Sequence, residues 1–251
     1  MLNTRAEPAV KRRWRRGRRP GSRIRLAITA FGPFPGVPFN ASERLIEELA
    51  GTRLRAAPAP LVATAVLPTD WRQAFAQLRT FIAHTRPDVL VHFGVSSRAH
   101  GFVIETRAFN QTSLRADCSG AFAAARHVRA NAGGARMATL PAELLVRRLR
   151  LDGIAARIST DAGRYLCNAV LFESLVLAEA AASAPLVGFV HIPPLAPPES
   201  QVGMANGFGW EQLRRGGAAI LDTLLRSPYS GPRRGRRLRA RARFHLKQAR
   251  P

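Results

Sequence analysis

The chain has very little cysteine: two residues in 251, Cys118 and Cys167. One pair cannot build the disulfide framework of a small secreted scaffold. No C-x-x-C and no metal-spaced histidine cluster occurs, so no metal and no cofactor is expected. His84, His92, His100, His127 and His245 read as incidental rather than as ligands. No apolar run approaches the ~20 residues that a membrane span requires. No internal repeat is visible, and no base-reading nucleic-acid motif accompanies the positive charge. Acidic residues are scarce, 16 against 39 Lys/Arg, which gives a formal net charge of +23.

That charge looks like a nucleic-acid signal until it is located. Residues 1–25 carry ten Lys/Arg against one Glu, and residues 232–251 carry nine and no acid, so residues 26–231 hold only +5. Blocks such as Lys11-Arg12-Arg13-Trp14-Arg15-Arg16 and Arg233-Arg234-Gly235-Arg236-Arg237 repel themselves and are expected to stay disordered. Non-specific, salt-sensitive contact with polyanions is open to them. So is a translation start downstream of Met1. The N-terminal arginines are not followed by the apolar core of a secretion signal, because Ile24-Arg25-Leu26 already begins a strand. The expected plan is a basic tail over 1–23, one globular unit over 24–226, and a basic tail over 227–251. Hydrophobic content of 46% and the chain length suit a sizeable single core.

Within that unit, strands alternate with helices. Arg25 to Ala30 and Leu186 to His191 read as buried strands, Asp88 to Phe93 as an apolar strand, and Leu61 to Leu67 and Ile154 to Ser159 as strands. Ser42 is read as the cap of a helix to about Ala50, with Glu43 in its first turn. Thr69-Asp70 opens another helix, through about His84. Leu140 to Leu151 is amphipathic, and Gly153 ends it. A last helix is expected from Met204-Ala205 to Leu225. Residues 111–137 read as an irregular cover over the site. The pattern predicts an α/β fold: a single-domain, twisted, mostly parallel sheet with helices on both faces, a three-layer αβα sandwich.

Cys167 carries the most information. It precedes an Ala/Leu-rich stretch, Ala169 to Ala182, with Leu171, Leu175 and Ala178 on one helical face. The thiol therefore falls at a helix start, where unpaired N–H groups and the helix dipole favour a thiolate and can hold an oxyanion. A lone cysteine is also commonly a small buried hydrophobe, and this segment alone leans that way. Two other segments supply partners. Pro185 to Pro194 reads as a buried strand ending on His191, and strand ends are where sites gather in open α/β sheets. Gly101 to Asn110 places Glu105 in an extended apolar stretch. Cysteine, histidine and an orienting carboxylate are the parts of a thiol hydrolase. Spacing alone does not make them converge.

These segments, taken in order, resemble the type I cysteine family of pyroglutamyl peptidases, also called pyrrolidone carboxyl peptidases. Ala30-Phe31-Gly32-Pro33-Phe34 with Asn40, Pro87 to Gly94, Ile104 to Asn110, Arg115, Ala162 to Asn168, and Phe189 to Pro193 match family motifs over about residues 24–226. The resemblance implies a peptidase that releases an N-terminal pyroglutamyl group from peptides through a thioester. It implies Cys167 as nucleophile, His191 as acid–base and Glu105 as its orienter. It implies Arg115 beside the oxyanion, and a pocket drawing on Phe31, Phe34, Asn40 and Tyr165. For Asn40, orientation of the Phe31–Phe34 loop and a helix-cap role stand side by side. For Phe31, ring contact with substrate stands beside plain core packing.

The departures lie in the substrate wall. Val95 stands where the family usually offers a glutamine, with Ser96-Ser97-Arg98 following; Glu105 is followed by Thr106-Arg107, and Asn40 by Ala41. A catalytically altered binding protein of this fold, or an amidase for another small acyl group, therefore remain alternatives. A catalytic thiol suits the reducing cytosol. The expected partner is a peptide with N-terminal pyroglutamate. No membrane association is expected, and homo-oligomerisation is left open.

Overall fold

A computed structural model describes residues 22–34, 36–181, 185–197 and 208–226. The expected basic tails lie outside the described residues apart from Ser22 and Arg23, and Arg23 donates to the carbonyl of Ala59 at 2.7 Å.

Among the described residues the main sheet has six strands: β1 (Arg25–Phe31), β2 (Leu61–Leu67), β3 (Val89–Val95), β4 (Phe102–Glu105), β7 (Ala156–Ser159) and β8 (Leu186–Ile192). Their spatial order is β2-β1-β3-β8-β4-β7. All neighbouring pairs run parallel except β4 and β8, which are antiparallel. Two short strands that sequence periodicity did not single out, β5 (Arg107–Phe109) and β6 (Ala135–Met137), form a separate antiparallel ribbon. The stretch 111–137 is thus not wholly irregular, since its last three residues pair with β5.

Side-chain alternation sorts the core into two layers. Leu26, Ile28, Val89, Val91, Phe93, Val190 and Ile192 face one way. They pack against α1 (Ala41–Gly51), α3 (Ala142–Leu151) and α5 (Trp210–Arg226). Ala27, Phe31, Leu90, Val187 and Phe189 face the other way, against α2 (Gln73–Thr85) and α4 (Leu166–Ala180). This is the three-layer sandwich. α1 and α2 lie on opposite faces, so β1 and β3 bound a topological switch point. Ligands gather outside the carboxyl ends of strands at such a point.

Helix ends differ from the sequence reading by a few residues. Asn40, not Ser42, caps α1: its Oδ1 accepts from the Ser42 backbone N–H at 3.1 Å. Asp70 accepts from the N–H groups of Arg72 and Gln73, and regular helix begins at Gln73. Phe208 and Gly209 precede the first turn of α5 and are not helical, while 204–207 lie outside the described residues. α4 is apolar almost all round because it lies between the sheet, α2 and the β5–β6 ribbon. Its one buried acid, Glu173, is paired with Arg79 of α2 at 2.8 Å and with Arg129 at 2.9 Å. No described helix is long and apolar enough to cross a membrane.

Candidate active site

Three side chains on the α2/α4 face come together at the carboxyl end of the sheet. His191 is the penultimate residue of β8, directly beside Gly94 of β3 in register. Glu105 ends β4 and pairs with Phe189 across the antiparallel step, which makes it a diagonal same-face neighbour of His191. Its Oε1 lies 2.9 Å from His191 Nδ1. Both are buried, and Glu105 Oε2 has no hydrogen-bond partner among the described residues. Cys167 sits in the first turn of α4, after Tyr165 at the N-cap. Its Sγ lies against Gly94: a Cβ built there would stand 3.4 Å from it. Tyr165 contributes no side-chain cap, so the N–H groups at this helix start are left for another acceptor.

The electrostatics favour a charged imidazole. Burial alone would push the His191 pKa down. Hydrogen bonds to Cys167 and Glu105, with the negative charge of both partners, outweigh burial and lift it to about 9. With Nδ1 turned to Glu105, Nε2 is the ring nitrogen left for the thiol. His92, two residues before Gly94, behaves in the opposite way. It is fully buried between Thr29 Oγ1 at 2.6 Å and Ser174 Oγ at 3.0 Å, with no charged partner, and burial pushes its pKa to about 3. It is a neutral hydrogen-bonding link between the sheet and α4.

The remaining expected residues divide. Asn40 performs both roles proposed for it, because Nδ2 donates to the Gly32 carbonyl at 2.9 Å while Oδ1 caps α1. The same loop is tied by Thr69 Oγ1, which donates to the Pro33 carbonyl at 2.6 Å. Phe34 is half-buried, and its backbone pairs with Val37. Phe31 is 2% exposed and packs on Phe189, so it underlies the site as core. Tyr165 donates its hydroxyl to the Ala116 carbonyl at 3.0 Å, and the Arg115 guanidinium lies over its ring at 5.2 Å. Arg115 is exposed and stacks beside the mouth of the site. Val95 differs from expectation: it packs with the α1/α3/α5 layer, opposite Cys167, so only its backbone adjoins the site.

Two site-shaping residues were not read as such from the sequence. Asn168, fully buried, accepts from the Phe109 N–H at 2.7 Å and donates to the carbonyls of Phe109 and Gln111. It fastens the segment after Glu105 to the start of α4. A lone amide beside the cysteine in an apolar helix was the available signal. Asp117 is the other. Burial would raise its carboxyl, but donors from Trp71, Ser119 and Ala121 hold it below the usual range and fix the loop that carries Arg115 and Cys118.

Cys118 is exposed, whereas Cys167 is half-buried. Under mildly acidic conditions reactivity should nevertheless favour Cys167, which stands at a helix start with the His191 imidazole beside it. Iodoacetamide labelling at such a pH, followed by peptide mass analysis, should modify Cys167 faster. Preferential labelling of Cys118 would count against the assignment.

A thiol at a helix start, an imidazole and a carboxylate in series on an αβα sandwich are the parts of a cysteine-type hydrolase. A family model described as pyroglutamyl peptidase matches residues 24–208. The pyrrolidone-carboxylate peptidase of Gloeobacter violaceus is 34% identical over 180 residues, 71% of this chain and 85% of that protein. A mutant pyrrolidone carboxyl peptidase from Pyrococcus furiosus superposes with a TM-score of 0.72 at 26% identity, covering 81% of this chain and 99% of that one. Pyroglutamyl peptidase I of Bacillus amyloliquefaciens shares the fold, with a TM-score of 0.72 at 20% identity over 82% of this chain and 98% of its own. The chain belongs to the pyroglutamyl peptidase family, and it is a hydrolase of the cysteine type.

Proposed function

We propose that this protein releases N-terminal pyroglutamate from peptides, with Cys167, His191 and Glu105 acting as a catalytic unit. The observation that carries this reading is the series of hydrogen bonds from Glu105 through His191 to Cys167, which keeps the imidazole protonated to about pH 9. In the mechanism, Cys167 Sγ attacks the pyroglutamyl carbonyl carbon. The oxyanion is held by the Cys167 backbone N–H at the α4 start, with Arg115 drawing close when substrate binds. His191 delivers its proton to the departing amine as the C–N bond breaks, leaving a thioester. Water, deprotonated by His191, then attacks the thioester and frees pyroglutamate and the thiolate. Glu105 holds the imidazole orientation and offsets its charge. Phe34, Tyr165, the Asn40-tied loop and the Val95 backbone form the acyl pocket, with Phe31 backing it. Cytosolic residence fits a thiol that must stay reduced.

The deciding assay is turnover of a pyroglutamyl coumarin amide, with alanyl and prolyl amides as controls. No turnover at any concentration would sink the reading in favour of a binding protein of this fold. Hydrolysis of the controls alone would favour the other-amidase alternative.

The pH profile tests the mechanism separately. An imidazolium is needed to protonate the amine, so activity should fall as pH rises through about 9. Glu105→Gln removes a charge that stabilises the imidazolium, so His191 loses its proton at lower pH. The alkaline limb should therefore move down, with partial activity retained below it. An unmoved limb in Glu105→Gln would remove Glu105 from its role.

A further inference from the structure

The end of the sheet opposite the candidate active site carries a basic groove. His191 and Glu105 lie at the carboxyl ends of their strands, whereas the loop 52–60 lies at the amino ends, where it leads into β2. Seven-residue strands such as β1 and β3 hold the two ends roughly 20 Å apart. A cavity of about 640 Å³, the size of a ligand cleft, runs along this loop, with Arg53, Arg55, Pro60 and Val62 in its wall. No acid lines it. Arg53 and Arg55 are exposed, and neither side chain has an ion pair among the described residues.

The same loop holds both ends of the described chain. Arg23 donates from Nε to the Ala59 carbonyl and from Nη2 to the Pro60 carbonyl. On the other side, the Arg55 backbone N–H donates to Asp222 Oδ1, one turn before the end of α5, at 2.7 Å. Residues 55 and 59 stand no more than about 14 Å apart. The segments 1–21 and 227–251 therefore join the fold at one corner, and together they carry 15 Arg and 2 Lys against one Glu. Asp88 and Asp222, acids of that corner, are already paired with Arg25 and Arg226.

We propose that this groove and the two basic segments together bind the phosphate backbone of a nucleic acid, without regard to sequence, and leave the candidate active site open at the other end of the sheet. Arginine outnumbers lysine because its guanidinium fork bonds phosphate bidentately and stacks on bases. Trp14 and Phe244 are interleaved with the arginines and supply flat faces for bases. An anionic bilayer would instead call for apolar groups that enter it, and the solvent side of α1, next to the groove, carries the Arg44–Glu48 pair.

The test is fluorescence anisotropy of two unrelated single-stranded RNAs, each of about 20 nucleotides, titrated with the full chain from about 50 to 200 mM salt. Both should bind equally, with affinity falling steeply as salt rises. Each phosphate contact contributes about 0.7 to the slope of log K against log salt. Arg53→Gln with Arg55→Gln should therefore reduce the slope by about 1.4. Arg12→Gln with Arg13→Gln, and Arg236→Gln with Arg237→Gln, should each do the same. Arg147→Gln with Arg157→Gln removes equal charge from α3 and β7, at the far edge of the sheet, and should leave the slope unchanged. Denaturant midpoints of the groove and far-edge variants should match the unmodified chain, since all four side chains are exposed. Absence of binding, a groove or flanking pair that keeps the full slope, or an equal loss in the far-edge variant would overturn the surface. Tighter binding to phosphatidylserine vesicles than to RNA, lost in the same variants, would overturn the nucleic-acid assignment in favour of a membrane.

Discussion

Cys167→Ser and His191→Ala should each lower pyroglutamyl amide turnover by about four orders of magnitude or more, while the protein stays folded. The magnitude follows from how such residues work together: removing either member of a nucleophile–base pair removes most of what the unit contributes. Serine replaces sulfur with a group that stays protonated beside a base suited to a thiol. Cys167 is half-buried and makes little of the core, so the change costs little stability. His191 sits deeper, between Phe189 at 4.7 Å and Glu105. Its removal leaves the Glu105 carboxylate buried without a partner among the described residues, since Oε2 already has none there. His191→Ala should therefore lose stability as well as rate, and His191→Gln is the variant that separates the two effects. Denaturant midpoints and turnover, measured on the same samples, check the expectation. Near wild-type rate in either His191 variant would dismantle the triad.

The sequence made most of this architecture legible, for a physical reason. The central strands β1, β3 and β8 are covered on both faces, so they appear as continuous apolar runs. Leu61–Leu67 was read with its observed bounds, and the other long strands within two residues. β5 and β6 escaped because three-residue strands carrying arginine have no period to detect. Strand direction is not written in periodicity either. Nothing in Gly101 to Asn110 says that β4 runs against β8, yet that reversal sets Glu105 diagonally beneath His191. The parts of the site were readable as residue types, and their convergence was not. Val95 shows the same limit. The alternation that points Gly94 toward Cys167 turns its neighbour to the opposite layer, and a substitution pattern cannot reveal which face a residue occupies.

Gly94 is where packing and chemistry meet, so Gly94→Ala should damage both. A Cβ there would stand 2.7 Å from Phe189 Cζ, well inside the ~3.5–4.0 Å of carbon–carbon contact. Phe189 has little freedom to retreat: it is fully buried, with Phe31, His92 and His191 packed around its ring. Movement must therefore pass to His191, or to Cys167 Sγ on the other side of the added methyl group. Overpacking of this kind costs about 1–3 kcal/mol. A misplacement of the reacting groups by about 1 Å costs on the order of a hundredfold in rate. The expected result is a lowered denaturant midpoint together with a kcat/KM reduced by about two orders of magnitude. Gly51→Ala is the control, because a Cβ there meets nothing within 4 Å. It should leave the rate unchanged and should not lower the midpoint, since alanine is the better helix former. If Gly94→Ala kept both its stability and its rate, the close stacking of Phe189, Gly94 and Cys167 would not be what holds the thiol against His191.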